Sequence, residues 1–128
     1  MQKKIDCSVL TPERTLYEDQ IDFAAVQAYD GEIGFLVNHA PLLSELGIGE
    51  IRLKTKDKID YLVVEGGIVE IRENKLIILA ENAYTKEELN PVEIKSKLSQ
   101  LENQTEKSKF LKMEMKKLKI RLKVLDKK

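Results

Sequence analysis

The sequence has few of the residues that disulfides, zinc sites and membrane spans require. Cys7 is its one cysteine and His39 its one histidine. A single cysteine excludes a disulfide within the chain, and one cysteine with one histidine cannot supply the ligands of a structural zinc site. No segment approaches the roughly 18 to 20 apolar residues of a membrane-spanning helix, and the first residues lack the apolar region of a signal peptide. The sequence therefore predicts a cytosolic protein without disulfides or structural zinc.

Residues suited to catalysis are equally scarce. His39 lies in a proline-containing segment with no serine or cysteine partner at a recognisable spacing, which favours a loop-structuring hydrogen bond. Cys7 alternates with polar neighbours on an early strand, which favours a buried small side chain over a nucleophile. Gly47-Ile48-Gly49 lacks the third glycine and the following helix of a dinucleotide fingerprint, and no P-loop occurs. We expect no enzyme activity, no metal and no cofactor.

Glycine is confined to one part of the chain, because all six glycines lie between Gly31 and Gly67. Apolar and polar residues alternate at positions 5–9, 51–54 and 69–72, which predicts strands with one face buried. The alanine-containing segment 23–28 is interpreted as a strand from its neighbours. Turn signals separate these runs at Thr11-Pro12, Asp30-Gly31, residues 38–41, Gly47-Ile48-Gly49, Lys56-Asp57 and Glu73-Asn74. Short strands divided in this way predict a β-sandwich or barrel.

From Asn90 onward the apolar period changes from two to about 3.6 residues. Asn90 is a favourable N-cap and Pro91 suits the first helical position. One apolar stripe comprises Ile94, Leu98 and Leu101, and a turn is predicted at residues 103–105. A second stripe comprises Leu111, Met115, Leu118, Leu122 and Leu125. Two adjacent amphipathic helices with a short connection predict an αα-hairpin, whose narrow first stripe implies modest packing energy.

The zero formal net charge conceals a division between these two parts. Residues 1–90 carry 10 Lys and Arg against 17 Asp and Glu, a net charge of −7, whereas residues 91–128 carry 12 against 5, a net charge of +7. Nearly all of the basic excess lies on the second helix. This asymmetry predicts two units with different surroundings, the basic one meeting an acidic partner.

Besides binding to an acidic protein, three other interpretations of the basic helix are possible. A charge run is often only a solvated helix face. Nucleic-acid binding is disfavoured by a single arginine, a single aromatic residue, Phe110, and the lack of a finger or RNP pattern. Binding to an anionic membrane is disfavoured by an apolar face without tryptophan. The excess of positive charge is larger than solubility needs, which favours the acidic protein partner.

Residues 30–43 read Asp-Gly-Glu-Ile-Gly-Phe-Leu-Val-Asn-His-Ala-Pro-Leu-Leu. This segment is very similar to the Gly-Glu-x-Gly-x-x-x-x-His-Ala-Pro-x-x signature of the epsilon subunits of F-type ATP synthases. Gly47-Ile48-Gly49 and Val64-Glu65-Gly66-Gly67 follow at family-like distances, and the resemblance covers the whole chain. It implies a β-plus-α fold with an N-terminal β-sandwich at residues 1–88 and a C-terminal antiparallel two-helix hairpin at residues 89–128.

The resemblance also implies partners for the sandwich. In the family it is fixed to the gamma subunit of the central stalk and rests on the polar loops of the membrane c-ring. A loop containing Gly31, Glu32 and Ile33 matches the part that faces the c-ring. The stretch associated with gamma comprises His39, Ala40, Pro41, Leu42 and Leu43, of which the last three residues offer an apolar patch.

The family's hairpin can extend along gamma into the catalytic head, where basic residues meet the beta subunit and ATP hydrolysis is inhibited. The candidate contacts with beta, and with alpha beside it, are Lys112, Lys116, Lys119, Arg121 and Lys123. Some bacterial members bind ATP through Ile/Leu-Asp-x-x-Arg/Lys-Ala at the first helix. Residues 89–94 read Leu-Asn-Pro-Val-Glu-Ile and match only the leucine, which predicts no ATP sensing.

The sequence thus indicates a non-catalytic rotor subunit that couples proton translocation to ATP synthesis and inhibits ATP hydrolysis through a mobile basic hairpin. The resemblance implies a peripheral location on the cytoplasmic side of the bacterial inner membrane, with membrane association only through the complex and no nucleic acid. A plastid-encoded chain would look the same. The alternative is a free-standing adaptor whose basic helix binds an acidic protein or nucleic acid.

Overall fold

Seven strands and two long helices make up the part of the chain that the structure, a computed structural model, describes: residues 4–106 and 108–127. The strands are β1 (Ile5–Leu10), β2 (Thr15–Ile21), β3 (Phe23–Ala28), β4 (Gly31–Leu36), β5 (Leu42–Lys54), β6 (Ile59–Arg72) and β7 (Lys75–Thr85). A short 3-10 turn (Lys86–Glu88) leads to helices α1 (Pro91–Glu102) and α2 (Lys109–Leu125). The predicted order of strands first and helices last is confirmed.

The strands form one sheet in the order β2-β1-β7-β6-β5-β3-β4, in which every pair is antiparallel except β1 with β7. β5 and β6 are the longest strands, with 13 and 14 residues, and they cross the middle of the sheet. Ile21 on the edge strand β2 and Phe35 on the opposite edge strand β4 belong to the same buried cluster. The sheet therefore folds over itself, and the predicted β-sandwich is confirmed.

The alternation of apolar and polar residues along the strands matches the observed core. Ile5, Cys7 and Val9 on β1 are buried, as are Val69 and Ile71 on β6. Their polar neighbours point away from the core because successive side chains of a strand point to opposite faces. The predicted inward position of Cys7 is confirmed, and the alanine-containing segment is indeed a strand, β3.

Two glycine-rich segments that look like turns lie inside long strands. Gly47-Ile48-Gly49 is part of β5, so the turn predicted there is wrong. A Cβ on Gly49 would lie 2.5 Å from Cβ of Gln27, and one on Gly47 would lie 3.1 Å from the Ala28 carbonyl oxygen. These glycines let β5 approach β3 closely without leaving the extended conformation. The turn at Glu73-Asn74 is confirmed, with both residues at positive φ.

The two helices begin and end close to the predicted positions. The side chain of Asn90 accepts hydrogen bonds from the amides of Val92 and Glu93, and Pro91 occupies the first turn. The break between Glu102 and Lys109 contains the predicted turn. None of the helices in the described residues is long and apolar enough to cross a membrane.

The hairpin packs on the outside of the sandwich through a second buried cluster. Its fully buried or nearly buried members are Val63, Leu89, Ile94, Leu118 and Val124. Val63 lies on the outward face of β6 and forms the floor of this contact. The predicted stripe residues Leu111 and Met115 are also buried, whereas the fully buried Val124 lies outside the predicted stripe.

Candidate functional site

The outer face of the central strands carries a group of exposed apolar side chains. We call Leu43, Ile68, Ile77 and Leu79 the apolar face; their exposed fractions are 65%, 42%, 36% and 46%. Ile68 on β6 lies opposite Leu79 on β7, while Glu70 separates Leu43 from Ile77 in the register. The side chains therefore share one surface. Exposed apolar residues that cluster in this way are typical of a protein interface.

An open cavity of about 700 Å³ borders the apolar face. Its lining includes Leu10, Pro12, Ile68 and Leu79, beside the backbone of Gly66 and Gly67. Glu45 and Glu81 also line this cavity. A mainly apolar lining with two acidic residues suits a partner segment that presents an apolar side chain flanked by basic residues.

The segment from His39 to Leu43 runs from a loop into β5, and hydrogen bonds of His39 shape its start. Nδ1 of His39 donates to the carbonyl oxygen of Ala40 at 2.7 Å, and the His39 ring meets Phe35 edge-on at 5.0 Å between ring centres. The predicted loop-structuring role of His39 is confirmed. Leu42 packs against the core, whereas Pro41 and Leu43 are exposed. Within the predicted gamma-contact stretch, only Leu43 extends directly into the apolar face.

The backbone before this loop is fixed by a pair of asparagines. Oδ1 of Asn74 accepts from the amide of Asn38 at 2.6 Å, and Nδ2 of Asn74 donates to Oδ1 of Asn38 at 3.1 Å. Asn38 has a φ of 69°, which asparagine tolerates better than most residues. The contact ties the His39 loop to the β6–β7 turn, so the loop is presented as a shaped surface.

Gly31, Glu32 and Ile33 lie at the start of strand β4, not in a loop as the sequence suggested. The turn occurs one step earlier, at Tyr29-Asp30, because residue 31 already pairs with Ala28 of β3. β4 is an edge strand, and the Glu32 carboxylate is exposed and pairs with Nη2 of Arg52 at 2.5 Å. That hydrogen bond is the main cause of the raised pKa of Arg52.

Four of the five predicted basic contacts form a second surface. We call Lys112, Lys116, Lys119 and Lys123 the lysine face; all are exposed on α2 and line a groove of about 470 Å³ with Met115 and Ile120. Within the described residues, none of these four ammonium groups lies in an ion pair. The lysine face is therefore open to an acidic partner even while the hairpin is docked.

Arg121, the fifth predicted contact, is turned toward the sandwich instead. Its Nε and Nη2 donate to the two carboxylate oxygens of Glu65 at 2.8 and 3.0 Å, and its guanidinium lies 4.5 Å from the centre of the Tyr84 ring. Burial lowers the pKa of Arg121, but the hydrogen bonds and charge of Glu65 outweigh this effect, so the pKa is raised. Arg121 thus fastens α2 to the sandwich.

Titratable groups suited to catalysis are not gathered anywhere in the described residues. Burial raises the pKa of the Cys7 thiol to about 12, which makes it a poor nucleophile. The described part of the chain contains no cluster of three or more His, Cys, Asp or Glu side chains that could hold a metal ion. The surfaces described above are suited to binding.

The sequence analysis did not predict the surface formed by Ile68, Ile77 and Leu79, nor the contact between Glu65 and Arg121. The run 76–80 is apolar at every position, and such a run signals a strand that is covered on both faces. That signal could have revealed the apolar face. Glu65 gave no comparable signal, because a glutamate in a strand usually points to solvent.

The sequence profile of the ATP synthase Delta/Epsilon chain β-sandwich domain matches residues 4–86. A protein of Leptospira interrogans named ATP synthase epsilon chain is 38% identical over 99 residues, which cover 77% of this chain and 78% of that protein. The chain belongs to the ATP synthase epsilon-chain family. Another member, from Priestia megaterium, is 39% identical over 88 residues, covering 69% of this chain and 66% of its own length.

Solved structures support the fold of this family member. A chain in the Euglena gracilis mitochondrial ATP synthase has a TM-score of 0.75 at 15% identity and covers 98% of this chain and 79% of its own length. A chain in the central stalk and c-ring structure of the Tetrahymena thermophila mitochondrial ATP synthase has a TM-score of 0.64 at 14% identity and covers 97% of both chains. These two likenesses support the fold of nearly the whole chain, and the sequence profile covers its β-sandwich part.

Proposed function

We propose that the chain is a non-catalytic central-stalk subunit of the ATP synthase rotor, which couples proton translocation to ATP synthesis and inhibits ATP hydrolysis. The observation that carries this proposal is the separation of two binding surfaces: an apolar face on the sandwich and a lysine face on the hairpin. One surface suits a permanent partner and the other a reversible, charged one. Residues 1–88 would form the attachment unit and residues 89–128 the regulatory unit.

Gamma is the proposed partner of the apolar face. Leu43 joins this face to the His39 loop, so the predicted stretch from His39 to Leu43 forms one margin of a wider surface. Large exposed apolar side chains favour a contact that is formed once and kept, because their exposure to water costs free energy whenever the partner leaves.

The c-ring is the proposed partner of the β3–β4 corner. Gly31, Glu32 and Ile33 lie there beside the exposed Tyr29, at the edge of the sheet. The Glu32 carboxylate has one oxygen close to Arg52 and remains half-exposed, so polar loops can still reach it. Association with the membrane would then be indirect, through the complex, on the cytoplasmic side of a bacterial inner membrane.

The beta subunit, with alpha beside it, is the proposed partner of the hairpin. Four exposed lysines spaced along α2 give a positive strip that an acidic segment can follow. The hairpin rests on the sandwich through one apolar cluster, the Glu65–Arg121 pair and the contacts of Lys127 with Glu50 and Lys86. A contact of this size allows release without unfolding the sandwich.

Capture of gamma by the purified full chain tests the attachment role. We expect Ile68→Glu to weaken gamma binding by about tenfold or more, because it places a charge in the apolar face. Ile59→Glu is the matched control, since Ile59 has a similar exposed fraction, 41%, on the same strand and lies outside that face. Gamma binding that survives Ile68→Glu would contradict the proposed surface.

The same capture experiment separates the rotor subunit from the adaptor. The adaptor has no reason to bind gamma and would instead retain an acidic protein or nucleic acid through the basic helix. A full chain that ignores gamma but binds nucleic acid in a salt-dependent manner would favour the adaptor.

A further inference from the structure

One ion pair is almost completely enclosed between the hairpin and the sandwich. The side chain of Glu65 is 2% exposed and that of Arg121 is 19% exposed. Glu65 lies two residues after Val63 on β6, so both side chains face α2. Each carboxylate oxygen accepts from a different nitrogen of the same guanidinium, and the Tyr84 ring covers that guanidinium. Glu65 therefore occupies the position that a carboxylate of a partner would take on Arg121.

We propose that Glu65 is an internal competitor for the acidic partner of the hairpin: it holds Arg121 while the hairpin is docked, and the partner's carboxylate replaces it after release. This inference rests on the proposed inhibitory function of the hairpin. Docking and full engagement of the partner then exclude each other, because both use one guanidinium.

The physical cost of a buried ion pair explains why such a contact suits a reversible step. The attraction between buried charges is largely offset by the loss of their hydration, so an intact pair adds little beyond what apolar side chains of the same size would add. Release hydrates Glu65 and gives Arg121 a new carboxylate. Exchange of one carboxylate for another keeps the docked and released states close in free energy. Removal of Glu65 or Arg121 alone would instead leave the other charge buried without a partner and would destabilise the docked state.

The basic side chains of the hairpin differ in whether they contact the sandwich. Arg121 is held by Glu65, and Lys127 lies 3.9 Å from Glu50 and 5.9 Å from the centre of the Tyr61 ring. Lys86 also donates to the carbonyl oxygen of Lys127. The lysine face, by contrast, points to solvent. A partner can therefore meet the lysine face first and reach Arg121 only when the end of α2 has left the sandwich.

Hydrogen exchange of the isolated full chain tests the docking half of the proposal. We expect Arg121→Met to speed exchange of the α2 amides by about tenfold or more, because an uncompensated carboxylate remains in the contact. Glu65→Met should have a smaller effect, since Arg121 is less buried. The double variant should restore slow exchange, because two methionines can pack where the ions were.

Two further variants and the sandwich amides distinguish release of the hairpin from misfolding of the chain. Asp22→Asn removes a carboxylate that pairs with Lys4 at 2.5 Å within the sandwich, and it should leave α2 exchange unchanged. Glu65→Gln keeps the shape of the side chain and should behave like Glu65→Met. Amides of β1 and β7 report whether the sandwich is intact in every variant. Unchanged α2 exchange in both single variants with an intact sandwich would overturn the proposal.

Inhibition of ATP hydrolysis by the reconstituted catalytic head tests the competition itself. Glu65→Met and Arg121→Met both release the hairpin, but only Glu65→Met leaves Arg121 for the partner. We expect Glu65→Met to inhibit several-fold more strongly than the unsubstituted chain and Arg121→Met to inhibit no more strongly than that chain. Equal enhancement by both variants would show that release alone matters and would overturn the competition. A failure of the proposed function is distinguishable, because the unsubstituted chain would then not inhibit at all.

Discussion

Gly67 and Gly31 both have positive φ, at 128° and 144°, but only Gly67 is crowded. A Cβ on Gly67 would collide with the carbonyl oxygen of Leu79, whereas a Cβ on Gly31 would have no atom within 4 Å. Both positions favour glycine because of their positive φ. At Gly67 the close approach of β7 also leaves no space for a Cβ atom. The two positions therefore separate conformational strain from steric overlap.

We expect Gly67→Ala to lower the free energy of unfolding by more than about 2 kcal/mol, because strain and overlap add. Gly31→Ala should cost only about 1 kcal/mol, from strain alone. Urea unfolding followed by circular dichroism measures both values. Equal losses in the two variants would show that the contact between Gly67 and β7 relaxes without cost.

The environment of Glu88, at the junction of the sandwich and the hairpin, predicts that the free energy of unfolding depends on pH. Partial burial raises its pKa, but the Arg14 guanidinium at 2.5 Å and hydrogen bonds from Thr85 outweigh this, so the pKa lies below the ordinary value of 4.5. A carboxyl with a lowered pKa stabilises the fold above its ordinary pKa, and this contribution is lost as the pH falls through the folded value.

We expect Glu88→Gln to reduce the free energy of unfolding at pH 7 by about 1 kcal/mol or less, since the pair is partly exposed. The difference between Glu88→Gln and the unsubstituted chain should shrink as the pH falls below the ordinary pKa of 4.5 and through the lowered folded value. Urea unfolding at a series of pH values gives this difference directly. A difference that is constant from neutral to acid pH would mean that the charge of Glu88 is not its source.

At the scale of elements, the period of the apolar residues predicted most of the fold. Strand alternation and the 3.6-residue helical stripe are local consequences of which side chains are buried. The continuous strand β5 was not predictable in this way, because glycine is a turn signal locally, whereas pairing of Ile48 and Gly49 with β6 continues the strand and the register with β3 is irregular beside these glycines. Long-range pairing decides such cases.

The candidate surfaces were predictable only in part. The lysines of α2 were visible as a charge excess on one amphipathic helix. The Glu65–Arg121 pair joins residues 56 positions apart, and no local pattern marks such a contact. The apolar face is likewise assembled from three strands, so its extent depends on the register between them.

The start of α1 predicts weak or absent ATP binding. The Asn90 side chain is engaged by the amides of Val92 and Glu93 at 3.0 and 3.2 Å, and the exposed Glu93 would repel phosphate. We expect calorimetry with magnesium ATP to show no binding tighter than about 1 mM. The variant Asn90→Asp with Glu93→Arg restores two positions of the bacterial motif and is the matched comparison. Sub-millimolar binding by the unsubstituted chain would contradict this prediction.

The whole molecule combines a net charge of −7 on residues 1–90 with +7 on residues 91–128. In the docked state, acidic sandwich residues hold part of the basic hairpin, as Glu65 and Glu50 show. The same charges would draw the hairpin to an acidic partner when it is released. Because the Debye length shortens from about 10 Å at 0.1 M salt to about 3 Å at 1 M, salt should weaken contacts of the exposed lysine face in particular.

ATP hydrolysis by the cognate catalytic head is the most direct measurement of the hairpin's role. The head is reconstituted with the full chain or with a chain that ends at Leu89, at low and at high salt. The shorter chain keeps the apolar face and should still bind gamma. We predict that only the full chain inhibits and that added salt relieves the inhibition. If both chains bind gamma and neither inhibits, the hairpin is not inhibitory and the subunit acts only in coupling.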